Sequence, residues 1–190
     1  MLRRGWRYLI GLAFVVLGSA AAAQQPYLVG SIGQSSWNFD CGSDTCDRNT
    51  TAWRVGAGIR FNRIVAAEAF YYDFGRARST DPSLDGQLRG TAAGLQALVG
   101  WQFEAFDVAG KLGLASVRSE FTPAPTSFFQ AETRRHNEFI GGLMFGYRFT
   151  RNLGVRLDAD IVTVALDSDR IFYSRGSDVV TVMLGLALQF

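Results

Sequence analysis

Apolar and polar positions alternate along most of this chain. In its last stretch Val180, Val182, Leu184, Leu186, Leu188 and Phe190 share one parity, and Thr181, Met183, Gly185, Ala187 and Gln189 the other. A period of two marks a β-strand with one wholly apolar face. The pattern recurs at Trp53, Val55, Ala57, Ile59 and Phe61, backed by Arg54, Gly56, Gly58 and Arg60. It recurs again at Ala67, Ala69 and Tyr71 opposite Glu68, and from Ala93 through Leu95, Ala97, Val99 and Trp101 to Phe103. Leu112 and Leu114 oppose Lys111, and Phe139, Leu143, Phe145, Tyr147 and Phe149 oppose Glu138, Met144 and Arg148. Val155, Leu157, Ala159 and Ile161 oppose Arg156, Asp158 and Asp160. A first strand over 27–37 alternates too weakly for its faces to be assigned.

The punctuation between strands is uneven. Tight turns are expected at Asn62-Arg63, at 104–107 and at 150–152. Long polar loops are expected at 38–51, 75–90, 122–136 and 167–177. The endings Gly58-Ile59-Arg60-Phe61, Gly100-Trp101-Gln102-Phe103 and Gly146-Tyr147-Arg148-Phe149 echo Ala187-Leu188-Gln189-Phe190, at spacings of 42, 46 and 41 residues. Four hairpin-sized units, each ending a strand at the same edge of one sheet, account for this repeat.

Residues 1–23 stand apart as a secretory signal peptide. Arg3, Arg4 and Arg7 precede an apolar run over 8–17, and Ala21-Ala22-Ala23 offers a cleavage site near Ala23. The mature domain is then 24–190. Without those three arginines the 19 basic residues become 16 against 17 acidic, a net charge of −1 in place of +2. Nucleic acid is therefore not an implied partner. No further segment is apolar enough for a transmembrane helix, so a membrane-spanning chain has to be a barrel. Cys41 and Cys46 sit in a polar loop behind an export signal, where a disulfide closing a small loop is expected. Two cysteines alone do not make a zinc site, and no cofactor is implied.

Two small barrels compete for this pattern: a soluble one with its apolar face inside, and a membrane one with that face outside. Arg54, Arg60, Glu68, Lys111, Glu138, Arg148, Arg156, Asp158 and Asp160 all lie opposite the apolar face, among glycines and alanines. Turning them to lipid would cost about 2–4 kcal/mol for each midplane Lys or Arg. The expectation is an all-β fold, an eight-stranded antiparallel up-and-down transmembrane β-barrel, with small residues and charges filling its interior. Phe61, Trp101, Phe103, Tyr147, Phe149 and Phe190 form an aromatic girdle at the short-turn rim, and Trp53, Tyr71 and Phe139 a second near the long loops.

The mature chain resembles outer-membrane β-barrels of the OmpA-like transmembrane-domain and opacity-porin kind. Phe61-Asn62-Arg63 leading into Ala67-Glu68-Ala69 carries the likeness, with Tyr71-Tyr72-Asp73-Phe74-Gly75, Gly110-Lys111-Leu112-Gly113 and the run from Tyr147 to Leu153. The resemblance implies the Gram-negative outer membrane, contact with its lipid and lipopolysaccharide, and termini in the periplasm. It also implies an assembly signal for the outer-membrane insertion machinery at Gly185, Leu188 and Phe190.

Function reduces to three readings. The nine interior charges form a salt-bridge network that plugs the barrel, or a gate in which Glu68 exchanges partners between Lys111 and Arg156. Either way the chain is a structural, envelope-integrity protein with at most a narrow, low-conductance pore. The alternative is a surface adhesion or host-interaction protein acting through its loops, with Phe128-Phe129 as a contact for a surface ligand. A lipid A-modifying enzyme is the weakest reading: the single histidine, His136, has no serine two positions beyond it, and Ser116, Ser119 or Ser127 would need loop geometry to approach it. The chain is not expected to be an enzyme. Nothing in it identifies an oligomeric state.

Overall fold

The computed structural model describes residues 24–38, 46–79, 86–123, 131–164 and 177–190. The expected leader, Cys41 and the Cys46 side chain, Ser127, Phe128 and Phe129 lie outside them. Eight long strands carry the fold: β1 (Gln25–Asn38), β2 (Asn49–Arg60), β3 (Val65–Ser79), β4 (Gly86–Phe103), β5 (Phe106–Pro123), β6 (Glu132–Arg148), β7 (Leu153–Val164) and β8 (Ser177–Gln189). Each pairs antiparallel with its sequence neighbour. β8 returns to β1, with Leu184 opposite Ile32, and the sheet closes. Closure removes both sheet edges, so each strand of the barrel has a partner on either side.

The parity of each strand from β2 to β8 sets its faces as the alternation predicts. Leu95, Leu112, Leu143, Phe139 and Leu184 are at least 60% exposed, whereas Arg54, Glu68 and Asp158 are at most 2% exposed. In a protein whose apolar residues face outward and whose charges face inward, lipid is the solvent of the outer face. β1, unassigned by its pattern, turns Tyr27, Val29, Ser31, Ser35 and Trp37 inward and Leu28 and Ile32 outward.

The short turns all lie at one rim. Asn62 Oδ1 accepts hydrogen bonds from the backbone N–H groups of Ile64 and Val65, each at 2.8 Å, and so closes the β2–β3 hairpin. Thr150 Oγ1 accepts from Leu153 N at 3.0 Å and does the same for β6–β7. The β4–β5 turn is tighter than expected: Glu104-Ala105 alone makes it, with Glu104 at φ +40°. Two-residue hairpin loops use positive φ because it matches the strand twist.

The other rim differs from expectation in strand length. β3 runs on to Ser79, β4 starts at Gly86, β5 reaches Pro123 and β6 starts at Glu132. Crossing a membrane takes only about 9–11 residues per strand, so β4, β5 and β6 project past the bilayer. A bulge between Asp73 and Arg76 bends β3 where it leaves the apolar band. Gly75 there has φ +80° and packs against the Thr50 side chain, a place for no other residue.

Candidate functional site

The candidate site is the barrel interior, built from opposed strands that point charged side chains at one another. Glu68 on β3 is the hub. Arg156, from β7 on the opposite wall, donates to Glu68 at 2.6 Å, and Arg54 on β2 forms a second ion pair with it. Tyr27 Oη donates to Glu68 at 3.0 Å and Gln96 Nε2 at 2.9 Å. Asp158 is the second hub. It accepts from Lys111 at 2.6 Å, from Arg156 at 2.9 Å and from Arg54 at 3.2 Å. Lys111 also lies 2.6 Å from Asp160, whose other partner is the Tyr72 hydroxyl.

Six of the nine expected residues therefore form one unit: Arg54, Lys111 and Arg156 against Glu68, Asp158 and Asp160. Its formal charge is zero. A buried network of this kind holds only while its members stay paired, because removing one partner strands an uncompensated charge at about 3–5 kcal/mol.

The other three expected residues lie elsewhere. Arg60 pairs with Asp107 nearer the short-turn rim, with a second contact at 3.4 Å. The sequence pattern puts Asp107 in a turn; the two-residue turn instead places it inside β5, 6% exposed. Arg148 donates to the Glu104 carbonyl at the same rim. Glu138 lies 3.9 Å from His136, away from the network. Of the two partners between which Glu68 was expected to exchange, Arg156 is paired with it, beside Arg54, while Lys111 is paired with Asp158 and Asp160.

Small residues and charges do not fill the interior by themselves. On the long-loop side of the network lies an aromatic layer of Trp37, Phe70, Tyr72 and Phe74, closed by Val117, Ile140, Val162 and Val179. Tyr72 stacks on Phe74 at 5.4 Å, and Trp37 meets Phe74 edge-on at 6.4 Å. Arg54 joins the two layers, its guanidinium carbon 5.2 Å from the Tyr72 ring centroid, within cation–π range. Below the network, a cavity of about 30 Å³ lined by Tyr27, Arg60, Asp107 and Arg156 has room for about one or two waters.

A closed eight-stranded antiparallel barrel with apolar side chains outside and charged ones inside is an architecture of the outer-membrane barrels. The family model for the outer membrane protein beta-barrel domain matches residues 9–190. This chain belongs to that family. The outer-membrane barrel is also similar in fold to Ail, the attachment invasion locus protein of Yersinia pestis, at 19% identity and a TM-score of 0.59 over 88% of this chain and 99% of Ail. A major outer membrane protein of Thermus thermophilus superposes with a TM-score of 0.60 at 13% identity, over 88% of this chain and 100% of that one. Neisserial surface protein A gives 0.59 at 15% identity, over 87% and 97%. No curated protein sequence matches this one.

The remaining candidates are placed by the same barrel. Ser116 points outward and His136 inward, on opposite faces of the wall. Ser119 points inward, and among the described residues its buried hydroxyl has no hydrogen-bond partner. Among the described residues no cluster of His, Cys, Asp or Glu is arranged to hold a metal ion. Leu188 and Phe190 face lipid, while Gly185 packs against Ser31 inside. Above the apolar band, Asp73 holds Arg89 at 2.6 Å and raises its already high pKa.

Proposed function

We propose that this outer-membrane barrel is a sealed structural element of the envelope, with at most a narrow, low-conductance path through it. The observation that carries the reading is the double closure of the lumen: a neutral six-residue ion network beneath an aromatic layer. Opening it would mean breaking several buried ion pairs at once, each at a cost well above thermal energy. In this reading the leader 1–23 is removed near Ala23, which fits β1 starting at Gln25, and the assembly machinery reads the C-terminal strand.

The test is single-channel recording of the refolded mature chain in a planar bilayer, with Glu68→Ala alongside. The wild type is expected to be silent, with folding shown by its gel shift on boiling. Defined openings in the wild type that change in Glu68→Ala would replace the sealed barrel with a gated channel.

A second reading has its own observation. β4 and β5, each of 18 residues, project well past the bilayer and carry a paired surface outside it. Ail, of the same fold, is known from its structure with the heparin analogue sucrose octasulfate. A surface-contact role for this projecting sheet would show as cell or glycan binding that is lost when the β3–β4 connection through residue 90 and the β5–β6 connection from residue 119 are each replaced by a short turn.

A further inference from the structure

Between the short-turn rim and the aromatic layer, the lumen holds one positive charge more than its carboxylates balance. Among the described residues Arg54, Arg60, Lys111, Arg148 and Arg156 point into it, against Glu68, Asp107, Asp158 and Asp160. Arg54, Lys111 and Arg156 are matched within the network, and Arg60 by Asp107. The surplus sits on Arg148, the last residue of β6. No carboxylate of the described residues is within ion-pairing distance of it. Its partners are neutral oxygens: the Glu104 carbonyl and the Gln102 amide oxygen, which accepts at 3.0 and 3.2 Å when turned toward the guanidinium.

Unused donors gather at the same end. Arg60 Nε and Arg148 Nε are buried without an acceptor, and Arg156 Nη2 makes no hydrogen bond although Asp158 Oδ1 lies 2.9 Å away. All three side chains line the cavity of about 30 Å³ below the network. It reaches from Arg156 at the network to Arg148 and Gln189, the last residues of β6 and β8. The carboxylate in its lining, Asp107, is already held by both Nη groups of Arg60. A buried donor without an acceptor is costly. Three of them around one cavity mark the place of an acceptor that the chain itself does not supply.

We propose that this cavity binds a monatomic anion of the halide class, such as chloride, between Arg60, Arg148 and Arg156. Space for one or two waters is too small for phosphate, sulfate or a carboxylate. Charge then decides between the two small acceptors. Water satisfies the N–H donors but leaves the surplus positive charge, whereas a halide answers both. Leu98 and Met144 in the lining keep the surroundings apolar, so the guanidiniums attract an anion more strongly than they would in bulk water. The cavity lies on the short-turn side of the network. An anion therefore comes and goes by that rim without passing Glu68 or Asp158, and its binding does not depend on whether the lumen conducts.

Two measurements on the refolded barrel test the site. Crystals soaked in sodium bromide are read by anomalous diffraction, and urea midpoints in lipid vesicles are followed as chloride replaces gluconate, an anion too large to enter, at constant ionic strength. The wild type should show a bromide peak in the cavity and a midpoint that rises with chloride and saturates. Arg148→Gln removes the surplus charge. Gly146→Ala keeps every charge but adds a methyl to the cavity lining, its Cβ 3.3 Å from Asp107 Cβ. Each should lose the bromide peak and need at least about tenfold more chloride for the same rise. Arg151→Gln, exposed at the same rim and outside the cavity, makes the same change in net charge and should keep both responses. A wild-type cavity that takes water and no bromide would overturn the proposal. So would equal chloride dependence in wild type, Arg148→Gln and Gly146→Ala, each folded by gel shift. A bromide peak without any chloride dependence of the midpoint would also overturn it, marking an adventitious ion only.

Discussion

Arg156 of β7 reaches across the full width of the barrel to donate to Glu68 of β3 at 2.6 Å. The two strands lie on opposite walls, four apart in an eight-stranded ring. This contact is therefore a strut as well as an ion pair. Its energetics follow from neutrality. Arg156→Gln leaves Glu68 with Arg54 and breaks the balance of the network, as does Glu68→Gln in the opposite sense; each is expected to cost about 3–5 kcal/mol. The double replacement removes one charge of each sign, so its cost should fall below the sum of the singles by about 0.5–3 kcal/mol. Reversible urea unfolding in lipid vesicles measures all three. Strictly additive costs would mean that the pair does not act as a unit.

The aromatic layer makes a different prediction, because it and the ion network close the lumen in series. Trp37 is fully buried and packs on Phe74 and over Gly90. Trp37→Ala should destabilise the barrel by about 3–5 kcal/mol through the cavity it leaves. It should not open the lumen, since the charged layer beneath remains paired. Planar-bilayer recordings of Trp37→Ala are expected to stay as silent as the wild type. Conductance from this replacement alone would show that the aromatic layer is the only seal.

Neighbouring residues on one strand should respond in opposite ways to the same charge. Leu112 faces lipid at 64% exposure, whereas Lys111 beside it is buried in the network. Leu112→Arg places a guanidinium in the hydrocarbon and should cost about 2–4 kcal/mol. Lys111→Arg keeps the charge among Asp158 and Asp160 and should cost markedly less. Unfolding midpoints in vesicles of defined thickness give the comparison. Similar costs at the two positions would contradict the assignment of faces.

These faces are legible because period two is a local property: each strand from β2 to β8 reports its own orientation. The stagger between strands is not local. Which charge meets which depends on barrel shear, so Glu68 and Lys111 share a face and a depth without sharing a partner. The aromatic layer is hidden for another reason. Tyr71-Tyr72-Asp73-Phe74 places aromatics on both parities, and β1 mixes Gly, Ser and Gln with its apolar residues, so neither strand end shows which ring is inside. Asp107 escapes the pattern because 104–107 reads as a four-residue turn where two residues suffice. The strands at the long-loop rim run past their expected ends because, above the membrane, both faces are polar and alternation fades.

Tyr27 gives the finest test of how backbone sequence serves the network. Its hydroxyl donates to Glu68 at 3.0 Å, and its ring lies against Gly58 on the adjacent strand, where a Cβ would overlap ring atoms. Gly58 therefore holds open the space that lets Tyr27 reach the hub. Tyr27→Phe removes only the hydrogen bond to a charged acceptor and should cost about 1.5–3 kcal/mol. Gly58→Ala leaves the hydroxyl present but displaces the ring, and should lose the same bond. Once Tyr27 is already Phe, adding Gly58→Ala should cost less than it does in the wild type, because the bond it disrupts is gone. A mutant cycle on urea unfolding reads this coupling directly. Full additivity would mean that Gly58 matters for the strand alone, and a Tyr27→Phe single of no cost would mean that the hydroxyl is not a working member of the network.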